Sequence, residues 1–208
     1  MTQNEPLLHA SFAEPALDPA LRWHCEPARW CVRPGERCLR IEPAAHTDFW
    51  QKTHYGFAAD NGHFLAAPAS GDFVLSTAVR FRPVHQYDQA GLMVRISPSC
   101  WLKTSVEYEP DGPSRLGVVV TNRGYSDWST QAFDSRVREV HLRIRREAQD
   151  YLVDASGDGA RWEQIRMAHL DEDRPGVTAL AGLYACSPKE AGFVADFAYL
   201  TIVGGRLA

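Results

Sequence analysis

The sequence predicts an all-β protein, a sandwich or a barrel. Apolar and polar residues alternate with a period of two through most of the chain beyond Phe73. Clusters of Pro, Gly, Asn and Asp interrupt that alternation at short intervals. No segment carries a sustained helical period. The 13 Pro and 15 Gly among 208 residues fit a chain with many turns. One globular domain spanning residues 1–208 is expected, with a Pro-rich N-terminal arm over roughly residues 1–20. A chain of this length buries about 70% of its unfolded surface, so it needs neither disulfide nor metal to fold.

Residues 1 to about 45 read as irregular, with Pro6, Pro15, Pro19, Pro27, Pro34 and Pro43. Trp23 and Trp30 break the polarity there, so this stretch packs against the rest. Cys38 to Pro43 reads as a short strand. Phe73 to Arg82 is a strand stopped by Pro83, and Ala90 to Ile96 is one stopped by Ser97 and Pro98. Trp101 to Tyr108 follows and ends at Pro110-Asp111-Gly112-Pro113, a strong turn. Arg115 to Thr121 ends at Asn122-Arg123-Gly124. Trp128 to Phe133, Glu139 to Arg145, Asp150 to Ala155, Trp162 to His169, Thr178 to Cys186 and Phe193 to Val203 complete the series. Glu139 to Gln149 has helical propensity, but Val140, Leu142 and Ile144 alternate with charged neighbours, so it reads as a strand. About ten or eleven short strands without an internal repeat mean a sandwich or barrel rather than a propeller.

Lys plus Arg number 22 and Asp plus Glu 26, a net charge of -4. A dedicated nucleic-acid binder shows a basic excess, so nucleic acid is not an expected partner. The longest apolar runs, such as Leu116 to Val120 and Val177 to Leu183, fall far short of about 18 residues, so no membrane span is expected. The first twenty or so residues hold Glu5, Glu14 and Asp18 and no Lys or Arg, unlike the basic start of a signal peptide. Cys25, Cys31, Cys38, Cys100 and Cys186 contain no Cys-x-x-Cys pair and read as reduced packing thiols. A cytoplasmic protein is the expectation.

Alternation assigns faces. Ala90, Leu92, Val94 and Ile96 share one side of their strand; Gln89, Gly91, Met93 and Arg95 share the other. Leu102, Thr104, Val106 and Tyr108 oppose Trp101, Lys103, Ser105 and Glu107. If the two strands pair as a hairpin, the second sets form one surface, richer in Trp and Met than a solvated face. The stretch from Thr47 to Phe57 and the stretch from Gly124 to Ser129 combine aromatic rings with hydrogen-bonding groups. Such surfaces suit sugars, because rings stack on C–H faces while polar groups read hydroxyls. Phe49, Phe57 and Phe64 are expected in the core, leaving Trp50, Tyr55, Tyr125 and Trp128 as the binding candidates.

The stretches Thr47 to Trp50, Tyr87 to Arg95, Trp101 to Tyr108 and Gly182 to Pro188 together resemble the domain-of-unknown-function family 1349, which includes YesU-like bacterial proteins and the fungal regulation-of-enolase protein. The resemblance covers roughly residues 8 to 203. It implies a concanavalin A-like jelly roll of two stacked antiparallel sheets, one of them concave. It would place Gln89, Met93, Arg95, Lys103 and Glu107 on the concave face, with Trp50, Tyr125, Asp127, Trp128 and Tyr184 at its rim.

Three functions are weighed. The first is a non-catalytic module that binds or responds to a saccharide or another small polar ligand. The second is a regulatory module acting on a metabolic enzyme as its protein partner, by analogy with the fungal members. The third is a glycoside hydrolase or lyase centred on Glu107, with Glu109 two residues on. Pro110 ends the strand before a longer carboxylate ladder can form. His46, Asp48 and His54 hold the ingredients of a facial metal triad, but with eight His in the chain such spacing is generic. No Gly-x-Ser-x-Gly, Gly-x-Gly-x-x-Gly or Walker motif is present, so no metal and no cofactor are expected.

Overall fold

The computed structural model describes residues 6–205. In chain order the strands are β1 (Pro6–Ala10), β2 (Arg22–His24), β3 (Arg29–Arg33), β4 (Cys38–Glu42), β5 (Phe49–Gln51) and β6 (Ala58–Asp60). Next come β7 (His63–Ala69), β8 (Phe73–Arg82), β9 (Gln89–Ser97), β10 (Cys100–Glu107), β11 (Ser114–Asn122) and β12 (Tyr125–Phe133). The last six are β13 (Glu139–Glu147), β14 (Asp150–Ser156), β15 (Glu163–His169), β16 (Ala179–Cys186), β17 (Val194–Phe197) and β18 (Leu200–Gly204). A short 3-10 turn at Pro34–Glu36 is the one helical element among the described residues.

Two antiparallel sheets stack as a concanavalin A-like jelly roll. One runs β12-β11-β10-β9-β16-β7-β2. The other runs β15-β14-β13-β8-β17-β4-β3, with β18 also on β8 and β1 on β18. The inward residues of each strand meet between the sheets: Leu92 and Val94 of β9, Leu102 and Val106 of β10, Leu75 and Val79 of β8, Leu142 and Ile144 of β13. Each such side chain contributes about 1.5–3 kcal/mol through burial. The turn at Arg123 and Gly124 places both residues at positive φ, 54° and 72°, as a two-residue hairpin connection between β11 and β12 requires.

The N-terminal region differs from the irregular reading. β1 pairs with β18, β2 with β7 and β3 with β4, so residues 6–42 extend the edges of both sheets. The rest of the expected arm, residues 1–5, lies outside the described residues. These strands are too short to show alternation in the sequence, and Pro6 sits at the start of β1, where its missing N–H costs no ladder bond. The single strand expected from Phe193 to Val203 is broken into β17 and β18. Both lie on the ten-residue β8, and the Thr77 hydroxyl donates to the Tyr199 carbonyl at 2.5 Å across the break. All five thiols are free; Cys38, Cys100 and Cys186 pack in the interior, whereas Cys25 and Cys31 are exposed.

A buried polar cluster ties the loop after β15 to the second sheet. Arg146 donates to both Asp173 carboxylate oxygens, one of them at 2.8 Å, and to the Gly71 and Val177 carbonyls. The Tyr151 hydroxyl donates to the same carboxylate at 2.5 Å.

Candidate functional site

The concave face of the first sheet carries a second, smaller hydrophobic cluster, because the β5–β6 hairpin lies across it. Phe49 of that hairpin meets Trp101 and Tyr184 edge-on at 6.2 Å and 6.3 Å between centroids. Gly62 is required beneath it: a Cβ there would lie 2.3 Å from the Phe49 ring. The hairpin is stitched to the sheet edge by the Gln51 N–H donating to Ser126 Oγ at 2.9 Å. One half of the concave face is therefore roofed, and the other half remains open as a cavity of about 350 Å³.

Register brings the cavity floor together. β9 and β10 pair so that Gln89 opposes Glu107 and Met93 opposes Lys103. Val119 of β11 opposes Lys103, and Trp128 of β12 opposes Val119. A Cβ at position 117 would meet Trp128 Nε1 at 2.8 Å, so glycine is what lets the indole lie against β11. Gln89, Lys103, Glu107, Val119 and Trp128 line the cavity from the sheet. Asp48, Trp50, Tyr55 and Phe57 enter from the hairpin and the residue before it, and Tyr87, Pro188 and Lys189 complete the lining.

The polar groups converge on Lys103. Its buried Nζ donates to Gln89 Oε1 at 2.9 Å and to Asp48 Oδ1 at 3.1 Å, and lies 5.5 Å from the Tyr184 ring centroid. The Tyr184 hydroxyl donates to the same Gln89 oxygen at 3.2 Å. Asp48 is held in turn by the Phe49 N–H, which donates to Oδ1 at 2.7 Å. An ammonium has three N–H donors, so two protein acceptors leave it able to serve one more. The Glu107 side chain makes no hydrogen bond among the described residues. Burial pushes its carboxyl up to about 8, with Asp48 and Glu109 adding to the rise and Lys103 opposing it. That rise favours the protonated form near neutral pH, in which the carboxyl both donates and accepts. The cavity thus joins aromatic walls to an ammonium, a carboxylate, an amide and a neutral carboxyl, a set able to read several hydroxyl groups at once.

Of the residues expected on this face, Trp50, Tyr55, Gln89, Lys103, Glu107 and Trp128 line the cavity. Tyr125 and Asp127 line an adjoining one. Met93 and Arg95 stand on the expected face but do not line the cavity, and Tyr184 departs from its expected place. Met93 is fully buried under the hairpin. Arg95 is held by both oxygens of Asp60, the second at 2.8 Å, and does not reach the cavity. Tyr184 belongs beneath the floor, not at the rim, with 0% exposure. Phe57, expected in the core, is 46% exposed and forms a wall. Asp48 was weighed only as a metal ligand, and Tyr87 and Pro188 were not singled out, although each stands in a stretch that carries the family resemblance. His46, Asp48 and His54 do not converge: no group of three His, Cys, Asp or Glu able to hold a metal occurs among the described residues. No helix among them is long and apolar enough to cross a membrane.

Two stacked antiparallel sheets with a walled pocket on one of them define a jelly-roll β-sandwich. Within that class, the chain belongs to the family described as "Protein of unknown function (DUF1349)", whose model matches residues 23–204. It is 37% identical over 162 residues to the Saccharomyces cerevisiae protein named Regulation of enolase protein 1, covering 76% of this chain and 78% of that one. A crystal structure of a functionally unknown protein from Saccharomyces cerevisiae is similar with a TM-score of 0.82 and 32% identity, over 91% of this chain and 98% of that one. The GH43 protein BlXynB from Bacillus licheniformis is similar with a TM-score of 0.73 and 18% identity. That match covers 99% of this chain and 40% of the larger protein, and at such identity it is a likeness of fold.

Proposed function

We propose that the concave-face cavity binds a saccharide and that the protein is a carbohydrate-binding or carbohydrate-responsive module without hydrolytic activity. The observation that carries this reading is the joining of Trp50, Tyr55 and Trp128 to the Lys103, Gln89, Asp48 and Glu107 cluster in one cavity. Its size lies toward the small end of the about 300–1,000 Å³ common for ligand pockets and suits one or two sugar rings. Against hydrolysis stands the state of the carboxylates. A hydrolase needs one acid and one available base or nucleophile. Asp48 is engaged by Lys103 and its own backbone, and Glu109 accepts from Gln86 at 2.8 Å outside the cavity lining.

Calorimetry against a broad glycan panel tests the reading. Heat with at least one sugar is expected, together with an affinity loss of tenfold or more in Trp128→Ala, which is about 1.4 kcal/mol. Silence across the panel removes it. A second reading, a regulator of a metabolic enzyme, draws support from the name of the yeast relative. Sedimentation of the chain mixed with the enolase of the same organism tests that one: co-sedimentation supports it, and independent boundaries remove it.

A further inference from the structure

A second cavity, about 550 Å³ in volume, adjoins the first. Trp50, Tyr55 and Trp128 line both spaces, so the same three rings form their common boundary. Beyond them the second cavity is lined by His54, Tyr125 and Asp127. The two spaces differ in chemistry. The first has the buried Lys103 and Gln89 in its floor, and Tyr87, Pro188 and Lys189 also line it. The second is mainly aromatic, and its one carboxylate, Asp127, already faces Arg166 at 3.1 Å.

The rings of the second cavity are held in place. Lys52 Nζ lies 5.3 Å from the Tyr125 ring centroid. Tyr55 packs edge-on against His54 at 4.8 Å and against Trp50 at 5.5 Å. The hairpin tip that carries them is closed by its own backbone: the Lys52 N–H donates to the Phe57 carbonyl at 2.8 Å, and the Gly56 N–H to the Lys52 carbonyl at 2.9 Å. Lys52 and His54 both sit at positive φ, 56° and 62°, a conformation costly for residues with a side chain and kept only where surrounding contacts enforce it. An ordered aromatic surface thus continues directly from a pocket with a polar floor.

We infer that the two cavities are consecutive subsites for an oligosaccharide, with one unit in the first against Lys103 and Gln89 and the neighbouring units across Tyr125 in the second. This rests on the saccharide reading and extends it from a single sugar to a short chain.

Calorimetry of the intact chain with xylose to xylohexaose and with glucose to laminarihexaose is the test. In a series that binds, affinity rises about tenfold between the monosaccharide and the trisaccharide and then levels off. Tyr125→Ala removes that rise and leaves the monosaccharide affinity unchanged; the residue is 60% exposed, so its truncation leaves the core untouched. Equal affinity for monosaccharide and trisaccharide overturns the second subsite while the single-sugar reading stands. A rise that survives Tyr125→Ala overturns the assignment of that subsite to Tyr125. No heat from any sugar in either series overturns the saccharide reading, and the subsite with it.

Discussion

Replacing Glu107 by Gln removes one half-buried acid while keeping its size and its ability to donate and accept. In the folded chain burial pushes this carboxyl from 4.5 up to about 8. Between those two values the native protein keeps a proton that the unfolded chain has released. Native stability therefore falls as pH rises through that window, is greatest below it, and levels off above about 8. Each pH unit inside the window is worth up to about 1.4 kcal/mol. Over the two units from pH 5 to pH 7 the difference between the Gln variant and the parent should grow by about 2–3 kcal/mol in favour of Gln. Other groups that titrate, such as the buried Asp88 and His63, are present in both proteins and cancel in the difference. Urea unfolding of both proteins at pH 5, 6, 7 and 8 measures this directly. Stability curves that run parallel across that range would mean that Glu107 is ionised in the folded state, and the description of the cavity as holding a neutral acid would be wrong.

Two further predictions concern the scaffold. Asp173→Ala strands the Arg146 guanidinium in the interior and removes the acceptor of the Tyr151 hydroxyl, so it should cost about 3–5 kcal/mol in chemical unfolding. A cost below about 1 kcal/mol would show that the loop is not anchored there. Gly182→Ala should destabilise by at least about 2–3 kcal/mol, because its Cβ would fall 2.0 Å from the Leu65 carbonyl oxygen. A neutral melting temperature would mean that the central strands of the concave sheet can part without loss.

The parts of the fold that were legible in the sequence are those where one physical rule dominates. β8 to β14 have long alternating runs, and the β9–β10 pairing puts Trp101, Lys103, Ser105 and Glu107 across from Arg95, Met93, Gly91 and Gln89, on the face that alternation assigns to them. β1, β2, β3 and β5 stay hidden because three to five residues offer no period, and their strand character comes from the neighbour they pair with. The site was legible as a surface but not as a volume. Alternation tells which side of a strand a residue takes; it does not tell that Phe49 will cap Trp101 and Tyr184, or that Asp60 will claim Arg95. Those contacts join residues far apart in the chain and turn half of the expected face into interior. The same roofing explains the misplacement of Phe57, which alternates with core residues in sequence but sits on a hairpin that reaches past the sheet. Asp48 carried its signal in a motif stretch, yet only the Lys103 contact at 3.1 Å gives it a role.

A crystal structure with laminaribiose or xylobiose at saturating concentration tests the concave cavity as a sugar site most directly. The account predicts a sugar ring lying along Trp128 and Trp50, with a hydroxyl within hydrogen-bond distance of Lys103 Nζ or the Glu107 carboxyl. A disaccharide bound elsewhere on the protein, with that cavity holding only water, would contradict it.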